Sequence, residues 1–167
     1  RPRHPRDGLA WEHLELMRRI WKGKLVVKGV LAKEDARIAR ESGVDGIIVS
    51  NHGGRQLDGV PGSLRALPEV VAAVDDRAEV LMDGGIRRGS DVVKPLCLGA
   101  RAVLVGRAYA WGLGAAGGPG VARAIEILKT DLIRTMRLVG CGAVRALDAS
   151  YVDVPVSWRA APGPGRN

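Results

Sequence analysis

A chain of 167 residues, 46% hydrophobic and 26% charged, is long enough for one domain with its own core and too apolar to be disordered. Its formal charge of +8 favours anionic partners, but the basic residues are scattered, phenylalanine is absent, and no basic–aromatic interleaving points to nucleic acid. The most apolar stretch, 102–118, is interrupted by Arg107 and rich in glycine and alanine, so a spanning helix is not expected there.

The first seven residues, Arg1 to Asp7, read as a linker that enters a helix over Leu9 to Trp21. A first apolar run, Leu25–Val27, reads as a strand, followed by a charged helix over Lys33 to Ser42 that stops at Gly43. The run Gly46–Val49 is the second strand, and Pro68 to Val74 a short helix with proline in its first turn. Val80–Met82 is the third strand, and Ser90 to Leu98 the next helix, closed by Gly99. Pro95 falls inside that helix and calls for a kink or a later start. Ala102–Val105 is the fourth strand, and the last helix runs from about Val121 to Val139, ending at Gly140. The runs are continuous rather than alternating, as in parallel strands buried on both faces. One helix followed by four strand–helix units predicts a parallel sheet, either doubly wound and open or half of a (β/α)8 barrel. Residues 1–155 form the expected domain, and 156–167, with its Pro-Gly turn chemistry, a disordered tail.

Each strand ends in polar or glycine residues. These are Lys28-Gly29, then Ser50-Asn51-His52-Gly53-Gly54-Arg55-Gln56-Leu57-Asp58-Gly59, then Asp83-Gly84-Gly85-Ile86-Arg87-Arg88-Gly89, then Gly106-Arg107. The C-terminal strand ends of a β/α barrel share one mouth, where active sites sit. Glycine there lets backbone approach a ligand, and arginine supplies forked donors to phosphate or carboxylate. A cofactor that carries a phosphate follows from the last two loops.

Those four blocks, with Leu98-Gly99-Ala100, resemble the FMN-dependent α-hydroxy acid dehydrogenases and oxidases, from about Trp11 to Pro155. The Ser-Asn-His-Gly-Gly-Arg-Gln block is the specific part of the likeness. The resemblance implies the C-terminal half of a TIM barrel, about four β/α units, with FMN as cofactor and a small, lactate-like 2-hydroxy acid as substrate. It implies that His52 is the catalytic base and also touches the substrate, and that Arg55 holds the substrate carboxylate in a fork that lysine could not copy. Lys28 would stand at the flavin N1 and O2 edge and Ser50 would hydrogen-bond the flavin. Asp83, Gly84, Gly85, Ile86 and Arg87, with Gly106 and Arg107, would hold the ribityl chain and phosphate.

Blander readings stand beside these. His52 is otherwise a loop histidine, Lys28 a snorkelling strand-end lysine, and Arg55, Arg87 and Arg107 solvated charges. Arg88 reads as a surface or helix-start residue, His4 and His13 as incidental, and Trp21 and Trp111 as packing. Cys97 and Cys141 read as reduced, buried thiols, and no metal site is expected. No apolar stretch follows the N-terminal basic residues, so a cytoplasmic location is expected, with membrane attachment through another segment left open. The expected partner is a homo-oligomeric copy or a missing N-terminal half-barrel, which would carry a substrate-contacting tyrosine and an acid for His52. The electron acceptor is not specified by the sequence. The competing functions are a non-catalytic flavin- or phosphate-binding half-barrel and an FMN barrel acting on a modified peptide or cofactor precursor.

Overall fold

The computed structural model describes residues 8–158; the expected linker, His4 and the end of the chain from 159 lie outside them. The elements run α1 (Glu12–Ile20), β1 (Val26–Val30), α2 (Lys33–Glu41), β2 (Gly46–Val49), α3 (Ser63–Val74), β3 (Glu79–Asp83), α4 (Gly89–Cys97), β4 (Ala102–Leu104) and α5 (Arg107–Leu138). The four strands pair in parallel and in chain order, β1-β2-β3-β4. An open doubly wound sheet would reverse its order partway. An unbroken sequential order is that of a barrel arc, and the fold is half of a β/α barrel.

The pleat explains which residues the helices cover. Ile47, Val49, Val80 and Met82 point to the helical layer and are buried, joining Ala36, Ala39, Leu67, Val70 and Val74 in the main core. Ile48 and Leu81, on the opposite face, are only half-buried. A second cluster under the C-terminal end gathers Val93, Cys97, Met136 and Cys141. Both cysteines are free and buried, and burial pushes the Cys97 thiol up.

Three boundaries differ from the sequence reading. α3 begins at Ser63, so Pro68 lies within the helix rather than in its first turn. Gly62, extended at φ −62° and ψ 143°, marks the true entry. Pro95 lies in the last turns of α4, where the main-chain N–H groups that follow it, from Leu98 and Ala100, still find the carbonyl of Pro95 itself. α5 begins at Arg107, well before Val121. It is broken at Ala116 and Gly117, and Gly117 has φ +59°. In a continuous helix residues eight apart lie about 12 Å apart along the axis. Here a Cβ on Gly120 would overlap the Gly112 carbonyl, so the arms 107–115 and 118–138 are folded against each other. Val156–Trp158, expected to belong to a disordered tail, is a 3-10 turn held to α3 by Arg65. The guanidinium donates to the Ser157 carbonyl at 3.0 Å and lies 5.8 Å from the Trp158 ring centroid.

α1 is fastened to the sheet by Asp45. Its carboxylate accepts from the Leu25 N–H at 2.8 Å and pairs with Lys24 at 2.9 Å and Arg18 at 2.7 Å. Chiefly through the Leu25 N–H, then through Lys24 and Arg18, the carboxyl is held well below the usual carboxylate range. A depressed folded value means the contribution is present above the unfolded carboxylate value and drains away as pH falls below it. Thermal unfolding followed by circular dichroism should therefore show the wild type losing Tm faster than Asp45→Asn between about pH 4 and pH 2; parallel curves would refute the tether.

Gly89 tests the α4–α5 packing. A Cβ there would overlap the main chain of Asp131 and Leu132. Gly89→Ala is expected to cost roughly 3 kcal/mol in urea unfolding, since backbone cannot yield as a flexible side chain does.

Candidate active site

Register places the candidate residues at one rim. Lys28 on β1 stands opposite Ile48, two residues before Ser50, and Asp83 ends β3 opposite Leu104 of β4. Above them the loops after β2, β3 and β4 close a cleft of about 490 Å³. His52, Arg55, Asp83, Gly84, Gly85, Ile86, Arg87, Gly106, Arg107 and Lys28 all line it. Ser50 does not. It is fully buried beneath the rim, where its Oγ accepts from Lys28 Nζ at 2.9 Å and from the His52 N–H at 3.0 Å. In this arrangement Ser50 positions Lys28 and the histidine loop.

The histidine loop is built from left-handed residues. His52, Gly53 and Gly54 have φ of 53°, 68° and 75°. A non-glycine residue in that region needs outside support. Asn51 supplies it, its Oδ1 accepting from the Gly53 N–H at 3.0 Å and its own N–H donating to Ser63 Oγ at 3.2 Å. The imidazole lies on Gly29, where a Cβ would stand 2.6 Å from His52 Nε2. Gly29, at φ +105°, thus gives the ring its place. On the far side Arg107 leans across the cleft, 3.5 Å from where a Gly53 Cβ would be.

The cleft is strongly cationic. Lys28, Arg55, Arg87 and Arg107 face one carboxylate, Asp83, which is already paired with Lys28 at 2.8 Å. Asp83 Oδ1 is shielded from solvent and has no hydrogen-bond partner among the described residues. A buried acceptor left open in a cleft wall calls for a donor from outside the protein. Gly85 and Gly106 leave open space above their backbone. Together these suit a ligand with hydroxyl donors and a phosphate group, and the volume falls in the roughly 300–1,000 Å³ of small-molecule sites.

Two features escaped the sequence reading. Tyr109 and Gln56 also line the cleft. Trp111, expected in the core, is exposed with its ring centroid 5.8 Å from the Arg87 guanidinium. Tyr109 and Trp111 were missed because the helix that carries them, which starts at Arg107, was not recognised in the sequence. Trp21 is likewise exposed rather than packed, its Nε1 donating to the Lys24 carbonyl at 3.0 Å. No helix among the described residues is long and apolar enough to cross a membrane.

Comparison with known proteins gives the same direction. The family model described as FMN-dependent dehydrogenase matches residues 2–154. An L-lactate dehydrogenase from Caulobacter sp. is 50% identical over 87% of the chain, and a pre-mycofactocin synthase from Mycobacterium tuberculosis 49% identical over 89%. The crystal structure of (S)-mandelate dehydrogenase, a monotopic membrane protein, superposes at a TM-score of 0.82 over 86% of the chain with 46% identity. The chain spans 38% of the length of each of these three.

If Gly29 seats the imidazole, Gly29→Ala should move the His52 ring resonances in an NMR spectrum and leave those of His13 in place. Unmoved His52 resonances in a folded variant would refute the contact.

Proposed function

The chain belongs to the FMN-dependent dehydrogenase family, and on that premise we propose that it forms the cofactor-gripping and catalytic half of an oxidoreductase that converts a small 2-hydroxy acid to the 2-oxo acid. The observation that carries this is the convergence of Lys28, His52, Arg55, Arg87 and Arg107 on one cleft.

Arg107 and Arg87, with the open backbone at Gly85 and Gly106, would hold the FMN phosphate, and Asp83 Oδ1 would accept from a ribityl hydroxyl. Lys28, held by Ser50 and Asp83, would present its charge to the N1 and O2 edge of the ring. FMN, when bound, supplies the acceptor for the two electrons that leave the substrate as a hydride equivalent. Arg55 binds the substrate carboxylate as a two-pronged donor and fixes the 2-position beneath His52. His52 takes the proton released as the 2-hydroxy group becomes a carbonyl, a role suited to an imidazole near neutral pH.

The site is completed elsewhere in this reading. The only acid in the cleft wall among the described residues is committed to Lys28, so a partner for the His52 ring comes from the other half of the barrel, in a longer product, a separate chain or a second copy. Attachment to a membrane through another segment accords with one relative, which is a monotopic membrane protein. The likeness to pre-mycofactocin synthase gives a second reading, an FMN barrel acting on a larger precursor. Arg55 in the cleft favours a free carboxylate, and a panel of lactate, glycolate, mandelate and carboxyl-blocked analogues separates the two.

With the other half of the barrel supplied, FMN titration followed by flavin fluorescence should show one site per assembled barrel, weakened about tenfold or more by Arg107→Ala. In single turnovers with the preferred acid, His52→Ala should retain FMN and bleach it about a hundredfold more slowly. Bleaching at an unchanged rate would remove His52 from the mechanism.

A further inference from the structure

A second cleft, of about 320 Å³, opens between the start of α4 and the second arm of α5. Arg87, Arg88, Arg123, Arg134 and Thr130 line it, with Asp131 as its one acid. That acid is engaged, because Asp131 Oδ2 accepts the Gly89 N–H at 2.6 Å and caps α4. Asp91 takes the N–H groups of Arg87 and Arg88, so the helix end is satisfied without a ligand. The guanidinium groups are not. Arg123 pairs with Glu126 at 2.8 Å, but both side chains are about two-thirds exposed, and such pairs hold weakly. Arg87, Arg88 and Arg134 form no ion pair among the described residues. Asp131 keeps its charge while it caps α4, but four guanidinium groups outnumber it and Glu126, and the excess positive charge repels itself unless a further anion enters.

We propose that this cleft binds a multivalent oxyanion of the phosphate type, such as a diphosphate. A lone carboxylate would leave part of the excess positive charge uncompensated, whereas a diphosphate offers several acceptors to forked donors and to the Thr130 hydroxyl. Arg87 lines this cleft and the main one alike. An anion here draws on the same guanidinium that faces the cofactor phosphate, so the two sites are coupled, and the coupling is reciprocal.

The test is isothermal titration of inorganic pyrophosphate into the FMN-saturated chain at low ionic strength. One saturable event is expected, weakening as salt is raised. The double variant Arg123→Glu, Arg134→Glu should weaken it about tenfold or more and leave FMN affinity unchanged. Arg123→Lys with Arg134→Lys, which keeps the charge and loses the fork, should fall between the wild type and the Glu pair, and Arg134→Gln alone gives the same comparison if the Glu pair unfolds the chain by circular dichroism. A chain that fails to take up FMN should show two pyrophosphate sites, one of them removed by the Glu pair. Vesicles of phosphatidylglycerol separate the sources: pelleting that pyrophosphate reverses and the Glu pair abolishes assigns a lipid headgroup, and pyrophosphate binding without pelleting assigns a free anion. No saturable event in the wild type, or equal affinity in the folded Glu pair, would overturn the proposal.

Discussion

Parallel pairing of four strands in chain order is the constraint from which the site follows. Each strand must end on the same rim, so the residue after every strand arrives at one place regardless of its distance along the chain. The buried hydroxyl of Ser50 then couples two of those ends, accepting from the β1 lysine and from the backbone of the histidine loop. A buried hydroxyl with both partners in place is worth keeping, because losing one leaves the other unsatisfied. Lys28 and His52 are therefore placed by the same atom.

Charge organises what lies above the rim. The cleft walls carry guanidinium and ammonium groups with a single carboxylate among them, an arrangement that opposes itself until anions enter. Under the proposed function, a phosphate-bearing cofactor and a carboxylate substrate would supply the missing charge. Electrostatics thus favours the ligand-filled state more than the empty one, and affinity for both ligands should decline with ionic strength.

The elements that depend on local pattern were legible in the letters. Continuous runs such as Gly46–Val49 gave strand positions, and Gly43 and Gly99, at φ +74° and +96°, marked helix ends as their type suggests. The alternation of elements could not separate an open sheet from a barrel arc; the polar blocks at the strand ends and the family likeness pointed to the barrel, and the sheet order agrees. The first arm of α5 was hidden by its composition: Gly112 and Gly114 weaken any helical periodicity, and Gly117 and Gly118 follow at its end. Trp111 was misread for that reason, since an aromatic placed in no element reads as core. The cleft residues themselves were found because they sit in a dense polar block after each strand, whereas the burial of Ser50 required coordinates.

The folded-back elbow at Gly112 and Gly120 makes the spacing of residues 107–120 matter more than their chemistry. Arg107, Tyr109 and Trp111 are registered at one end by β4 and at the other by the crossing of the two arms. One residue inserted between them would turn everything beyond it by about 100°, carrying the aromatic pair away from the rim. Substitutions that keep the count can drift, and length changes cannot, so this stretch behaves as a ruler for the mouth of the barrel.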